Sequence, residues 1–173
     1  MQEEITQVEM VDARDAVLQN IVRLANEFDL QFSITLFSGG LIISGIIVGG
    51  ATYFDRLGEQ MEQAFKDISD DKFAAKMGGI FQGYGDTYKK RKEELRKELE
   101  IAKAGEGVSA TEDKADSPEK VFYIHLQNVQ ILGAASGPVT YPPTTIWRGR
   151  ISSVDGFHLG SADLADPGIY SGQ

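Results

Sequence analysis

The sequence contains no cysteine, which excludes disulfide staples, thiolate catalysis and cysteine-ligated zinc. Histidine is almost absent too, with only His125 and His158. Lysine is confined to the stretch from Lys66 to Lys120, and two long blocks, Leu30–Phe54 and Val121–Trp147, carry no formal charge. With a net charge of −9 and no lysine within those blocks, nucleic acid is not an expected partner. The amino-terminal MQEEITQVEMVD has neither the basic nor the apolar region of a secretory signal, so the cytoplasm is the expected location.

What is present is organised around Leu30–Phe54. Its length alone would cross a bilayer. Its content argues for strands: five glycines, Gly39, Gly40, Gly45, Gly49 and Gly50, break a run rich in isoleucine, and such a run is weak as a helix and strong as a sheet. Phe32, Ile34 and Leu36 alternate with Gln31, Ser33 and Thr35, the period of a strand with one buried face. Gly39-Gly40 supplies a tight turn, and Leu41–Val48 returns, with a bulge or bend expected at Gly45. Anchoring in a membrane through residues 30–54 stays open as the competing reading, and a membrane is not the expected partner.

Before this hairpin, residues from about Asp12 to Phe28 predict a helix whose apolar line is Val17, Ile21, Leu24 and Phe28, widened by Leu18, Val22 and Ala25. After it, Phe54, Leu57, Met61, Phe65 and Ile68 predict a second helix, N-capped by Thr52. Met77–Asp86, MGGIFQGYGD, lacks the order of a phosphate-binding loop and reads as a hinge. Thr87–Ala104 is a highly charged helix with a thin apolar line, fit to stand partly in solvent or to self-associate. Gly105–Glu119 has almost nothing to bury and reads as linker.

Three further strands are expected. Phe122, Ile124 and Leu126 alternate until a parity shift near Asn128, which marks a bulge; Ile146–Ile151 follows a loop, GAASGPVTYPPT; and Asp155-Gly156 turns into Phe157–Leu159. The expected fold is α+β: an N-terminal helix plus a five-stranded antiparallel small barrel, SH3-like or Sm-like, with a helical insertion between strands 2 and 3. Its division is an N-terminal tail at 1–11, one domain over 12–160 with insertion and linker at 52–120, and a flexible C-terminal tail at 161–173.

Little chemistry is visible. His125, His158 and Asp155 lack the spacing of a zinc motif, and no serine sits in an elbow motif, so neither metal, cofactor nor enzyme activity is expected. Tryptophan and arginine are enriched at binding hot spots. Alternation places Trp147 in the interior and leaves Arg148 and Arg150 together on the other face, available to a carboxylate.

Taken together, Tyr123-Ile124-His125-Leu126-Gln127-Asn128, Trp147-Arg148-Gly149-Arg150-Ile151 and Val154-Asp155-Gly156-Phe157-His158-Leu159-Gly160, preceded by Leu41–Gly45 and Tyr53–Asp55, resemble the GvpU family of gas vesicle accessory proteins. The chain departs from that pattern between Gln82 and Glu119 and in its acidic tail. The resemblance implies a non-enzymatic protein that contacts the gas vesicle shell protein and itself, in vesicle formation or clustering. The candidate binding residues all lie within these strings: His125, Asn128, Trp147, Arg148, Arg150, Asp155 and Phe157. An Sm-like RNA-binding oligomer is the alternative from fold alone.

Overall fold

The computed structural model describes residues 15–103, 121–133 and 136–162. The expected tail at 1–11, the linker Gly105–Glu119 and nearly all of the tail at 161–173 lie outside them. Helix α1 (Ala16–Phe28) leads into β1 (Ser33–Ser38) and β2 (Leu41–Val48); α2 (Gly50–Lys66), α3 (Asp71–Gly83) and α4 (Asp86–Lys103) follow. Then come β3 (Tyr123–Gly133), β4 (Ser136–Thr140), β5 (Ile146–Arg150), a 3-10 turn (Ile151–Ser153) and β6 (Gly156–Leu159).

Asp15 starts α1 by accepting hydrogen bonds from the backbone nitrogens of Val17 (2.8 Å) and Leu18 (3.0 Å). Asp29 ends it in the left-handed conformation, φ 51°. The helix buries Leu18, Val22 and Ala25, whereas Val17 (61% exposed), Leu24 (44%) and Phe28 (45%) face outward. The expected stripe is thus split: its widening line of Leu18, Val22 and Ala25, with Ile21 beside it, meets the core, whereas the line of Val17, Leu24 and Phe28 does not. Both are apolar at helical spacing, and only the position of the sheet selects between them.

The β1–β2 hairpin forms as expected, with Ser38 paired to Leu41 and Gly39 and Gly40 at φ 56° and 79°. Along β2 and β3 the register shifts between Ser44 and Ile46, opposite Asn128 at φ 52°, so the bulge sits where the parity of β3 changes. A methyl on Gly45 would lie 3.0 Å from the Gln127 carbonyl oxygen, which explains the glycine facing the bulge.

The antiparallel sheet runs β4-β3-β2-β1-β6, with β5 also on β3. Strand β3 is long enough for β4 to pair with its second half and β5 with its first. The closed SH3-like or Sm-like barrel is not formed. The sheet is open, because β6 pairs with β1 and β5 with β3, and no ladder joins β5 to β6 among the described residues. Instead α1 covers the core, packing Leu18, Val22 and Ala25 with Ile34, Leu36, Ile43, Ile47, Ile124, Leu126, Val129 and Ile151. Strand β4 falls in the stretch read as a loop. Asp155-Gly156 makes no hairpin, since β5 and β6 have different neighbours; Asp155 instead accepts from the Gly39 nitrogen at 2.7 Å and holds the β1–β2 turn.

Helix α2 begins two residues before the expected Thr52 cap. The Asn26 side chain of α1 accepts from the Gly50 nitrogen at 2.8 Å, so a tertiary contact replaces a local hydroxyl. The expected hinge Met77–Asp86 is mostly helix: α3 runs to Gly83 and α4 starts at Asp86. Gly78 there serves packing. A methyl on Gly58 of α2 would lie 2.7 Å from the Gly78 carbonyl oxygen, and one on Gly78 would lie 2.8 Å from that of Gly58. Helix α4 buries no residue, and ion pairs hold it to the body: Lys89 to Asp55 at 2.6 Å and Lys92 to Asp29.

Gly58→Ala or Gly78→Ala should therefore lower unfolding free energy by about 1–3 kcal/mol, because backbone cannot move aside as a side chain can. Gly79→Ala meets nothing within 4 Å and should raise it by about 0.5–1 kcal/mol through helix propensity. Urea denaturation of the three variants measures both signs.

Candidate functional site

Strand β5 aligns with the start of β3 so that Trp147 opposes Leu126, Arg148 opposes His125 and Arg150 opposes Tyr123. Strand alternation then divides the side chains. Trp147 packs, half-buried, against the core cluster, and its ring lies over Gly149, where a side chain would collide with it. Arg148 and Arg150 are both exposed on the other face. The Arg148 guanidinium stands 3.6 Å from the centroid of the Tyr123 ring and 5.7 Å from that of Phe54. Cation–π attraction at this range fixes a long side chain that would otherwise sweep through solvent.

Beneath Arg148 lies His125, only 1% exposed. Tyr53 stacks on it with centroids 4.4 Å apart, and Phe54 and Tyr88 meet it edge-on at 5.9 and 6.5 Å. Neither ring nitrogen has a hydrogen-bond partner among the described residues. Burial first, and the nearby Arg148 charge second, lower its pKa from 6.5 to about 3. Burial likewise raises the Tyr53 pKa, with Arg148 opposing. The ring packs among aromatics and an arginine, and no carboxylate is among these neighbours. The arrangement therefore presents fixed positive charge on an aromatic bed, a surface for binding anions.

The remaining candidates are placed elsewhere. Asn128 sits at the bulge and lines a polar groove of about 400 Å³ with Ser33, Ser44, Gln130 and Ser161. There the Ala162 nitrogen donates to Thr35 Oγ1 and Ser44 Oγ, both at 3.1 Å, which draws the chain after β6 across the outer face. Asp155 holds the hairpin turn, and Phe157 opposes Leu36 and packs against the core. His158, on β6, is three strand positions from His125, roughly 14 Å at ordinary strand spacing. Among the described residues no group of three or more possible metal ligands occurs.

Sequence reasoning missed the aromatic bed of Tyr53, Phe54, Tyr88 and Tyr123. The alternation of Tyr123 with Ile124 puts that tyrosine on the face of His125, but the contribution from α2 and α4 has no local signature.

With this geometry in hand, the match to a family model is decisive: the description Gas vesicle protein GvpU-like fits residues 15–162. The chain belongs to the GvpU-like family. No curated protein and no solved structure matches it. The match to the GvpU-like model spans α1, the whole sheet and all three helices between β2 and β3, so Gln82–Glu119 falls between its end points. It is a gas vesicle-related protein. In this GvpU-like chain Leu30–Phe54 is the β1–β2 hairpin and the first turns of α2, and no described helix is long and apolar enough to cross a membrane.

The buried histidine carries a pH signature. Its folded pKa lies below its unfolded value, so between pH 6.5 and about 3 the unfolded chain binds the extra proton and stability rises with pH. His125 should leave stability intact above pH 6.5 and remove on the order of 5 kcal/mol as pH falls to about 3. His125→Phe should flatten this limb in denaturation curves recorded at stepped pH. An unchanged slope would contradict the burial of a neutral ring.

Proposed function

We propose that the protein is a non-enzymatic accessory protein that docks on the gas vesicle shell through Arg148 and Arg150 and, by self-association, regulates vesicle formation or clustering in the cytoplasm. The observation that carries the reading is the exposed arginine pair on a rigid sheet, in a chain of a gas vesicle family. Arg148 is held over Tyr123 at 3.6 Å, so docking immobilises little that is not already ordered. A polymeric shell repeats its surface many times, and weak contacts multiply on it when the docked protein also meets its own copies. The outer side of α4 suits such contacts, with exposed Leu99 and Ile101 among charges of both signs.

The experiment is co-flotation of purified protein with gas vesicles. Wild type should enrich in the buoyant layer, and Arg148→Glu with Arg150→Glu should reduce that enrichment about tenfold or more, since each replaces attraction by repulsion. Circular dichroism of the double variant should match wild type, because both side chains are exposed. Flotation of the folded double variant at the wild-type level would sink the assignment of these arginines.

A further inference from the structure

Between α1, α4 and the start of β3 lies a second feature, a cavity of about 260 Å³. Arg23, Asn26 and Glu27 line it from α1, Thr87 and Arg91 from α4, and Tyr123 from β3. The Arg23 Nε is buried and makes no hydrogen bond among the described residues, while its Nη1 donates to Asn20 at 3.1 Å. A buried donor without a partner is unfavourable unless something arrives to accept from it. Among the described residues, Arg91 has only a loose ion-pair partner, Glu94 at 3.8 Å, with Arg91 partly and Glu94 largely exposed. Glu27 shares the wall but forms no ion pair with either arginine among the described residues. Tyr123 is a wall of the cavity and also the platform for Arg148, with Arg150 paired to it across the strands. Four of the seven arginines thus gather around one tyrosine, in a chain whose net charge is −9.

We propose that this cavity receives a carboxylate side chain from an acidic peptide segment of a partner protein, held by Arg23 and Arg91, with neighbouring acidic residues running onto Arg148 and Arg150. The planar guanidinium fork matches a carboxylate in two parallel hydrogen bonds. A peptide fits better than a small free anion because the positive surface continues past Tyr123, beyond what a single small anion spans. The proposal deepens the docking reading by naming the partner's chemistry, and rests on it only for who the partner is.

The test titrates the full chain, with nitrogen-15 arginine, using an acetylated tetraglutamate amide and, separately, inorganic phosphate. The Arg23 Nε–H signal should shift and saturate with the peptide. Arg23→Lys and Arg91→Lys should each weaken binding about tenfold, the loss of one charge-assisted hydrogen bond. Glu27→Gln should tighten it, and Arg96→Gln, on the exposed part of α4, should leave it unchanged. No shift at millimolar peptide, equal affinity for phosphate, or wild-type binding by both lysine variants overturns the proposal. Because no vesicles are present, peptide binding supports the cavity even if flotation fails, and absent binding overturns it even if flotation succeeds.

Discussion

The outer surface of this protein depends on one backbone irregularity, the bulge at Asn128. By setting one extra residue of β3 against Gly45, it lets Ile124 and Leu126 before it, and Val129 and Ile131 after it, all point into the same core. Without the extra residue, one half of the strand would turn its apolar side chains to the opposite face, because side-chain direction has a period of two. The glycine at 45 is the complement of the bulge, since the Gln127 carbonyl approaches where a side chain would stand.

The same register settles which residues face α2 and α4. His125 is driven into the aromatic cluster of Tyr53, Phe54 and Tyr88, and Arg148, its partner across the strands, is laid over Tyr123 and Phe54. A histidine in such surroundings is held neutral by desolvation, and the arginine stands at the surface. The pair therefore divides the labour of one strand crossing: packing beneath, fixed charge above. Trp147, one residue earlier, supports the arrangement from the core side.

Much of the fold was legible because its signals are local. The alternation of β1, the returning strand β2, the Gly39-Gly40 turn, the parity change at Asn128 and the charged helix α4 were all readable. The burial of Trp147 opposite Arg148 and Arg150 followed from alternation as well. Other features were not. Leu18, Val22 and Ala25 were subordinate to Val17, Leu24 and Phe28 in the pattern, yet they face the sheet. The glycines of α3 suggested a hinge, because the value of Gly78 lies in contact with Gly58, a residue on another helix. The cavity beside Arg23 joins three elements distant in sequence, so no spacing announces it.

The sequence by itself determined the strands of the hairpin, the bulge, the charged helix, the outward arginines and the family, since each is written in neighbouring residues or in a string of them. Tertiary structure decided which line of α1 is buried, where α2 begins, that the sheet stays open under α1, and that His125 lies beneath Arg148. The physical reason is range. Turn dihedrals and strand alternation act within a few residues, whereas burial, close backbone approach and desolvation are set by whatever the folded chain brings alongside.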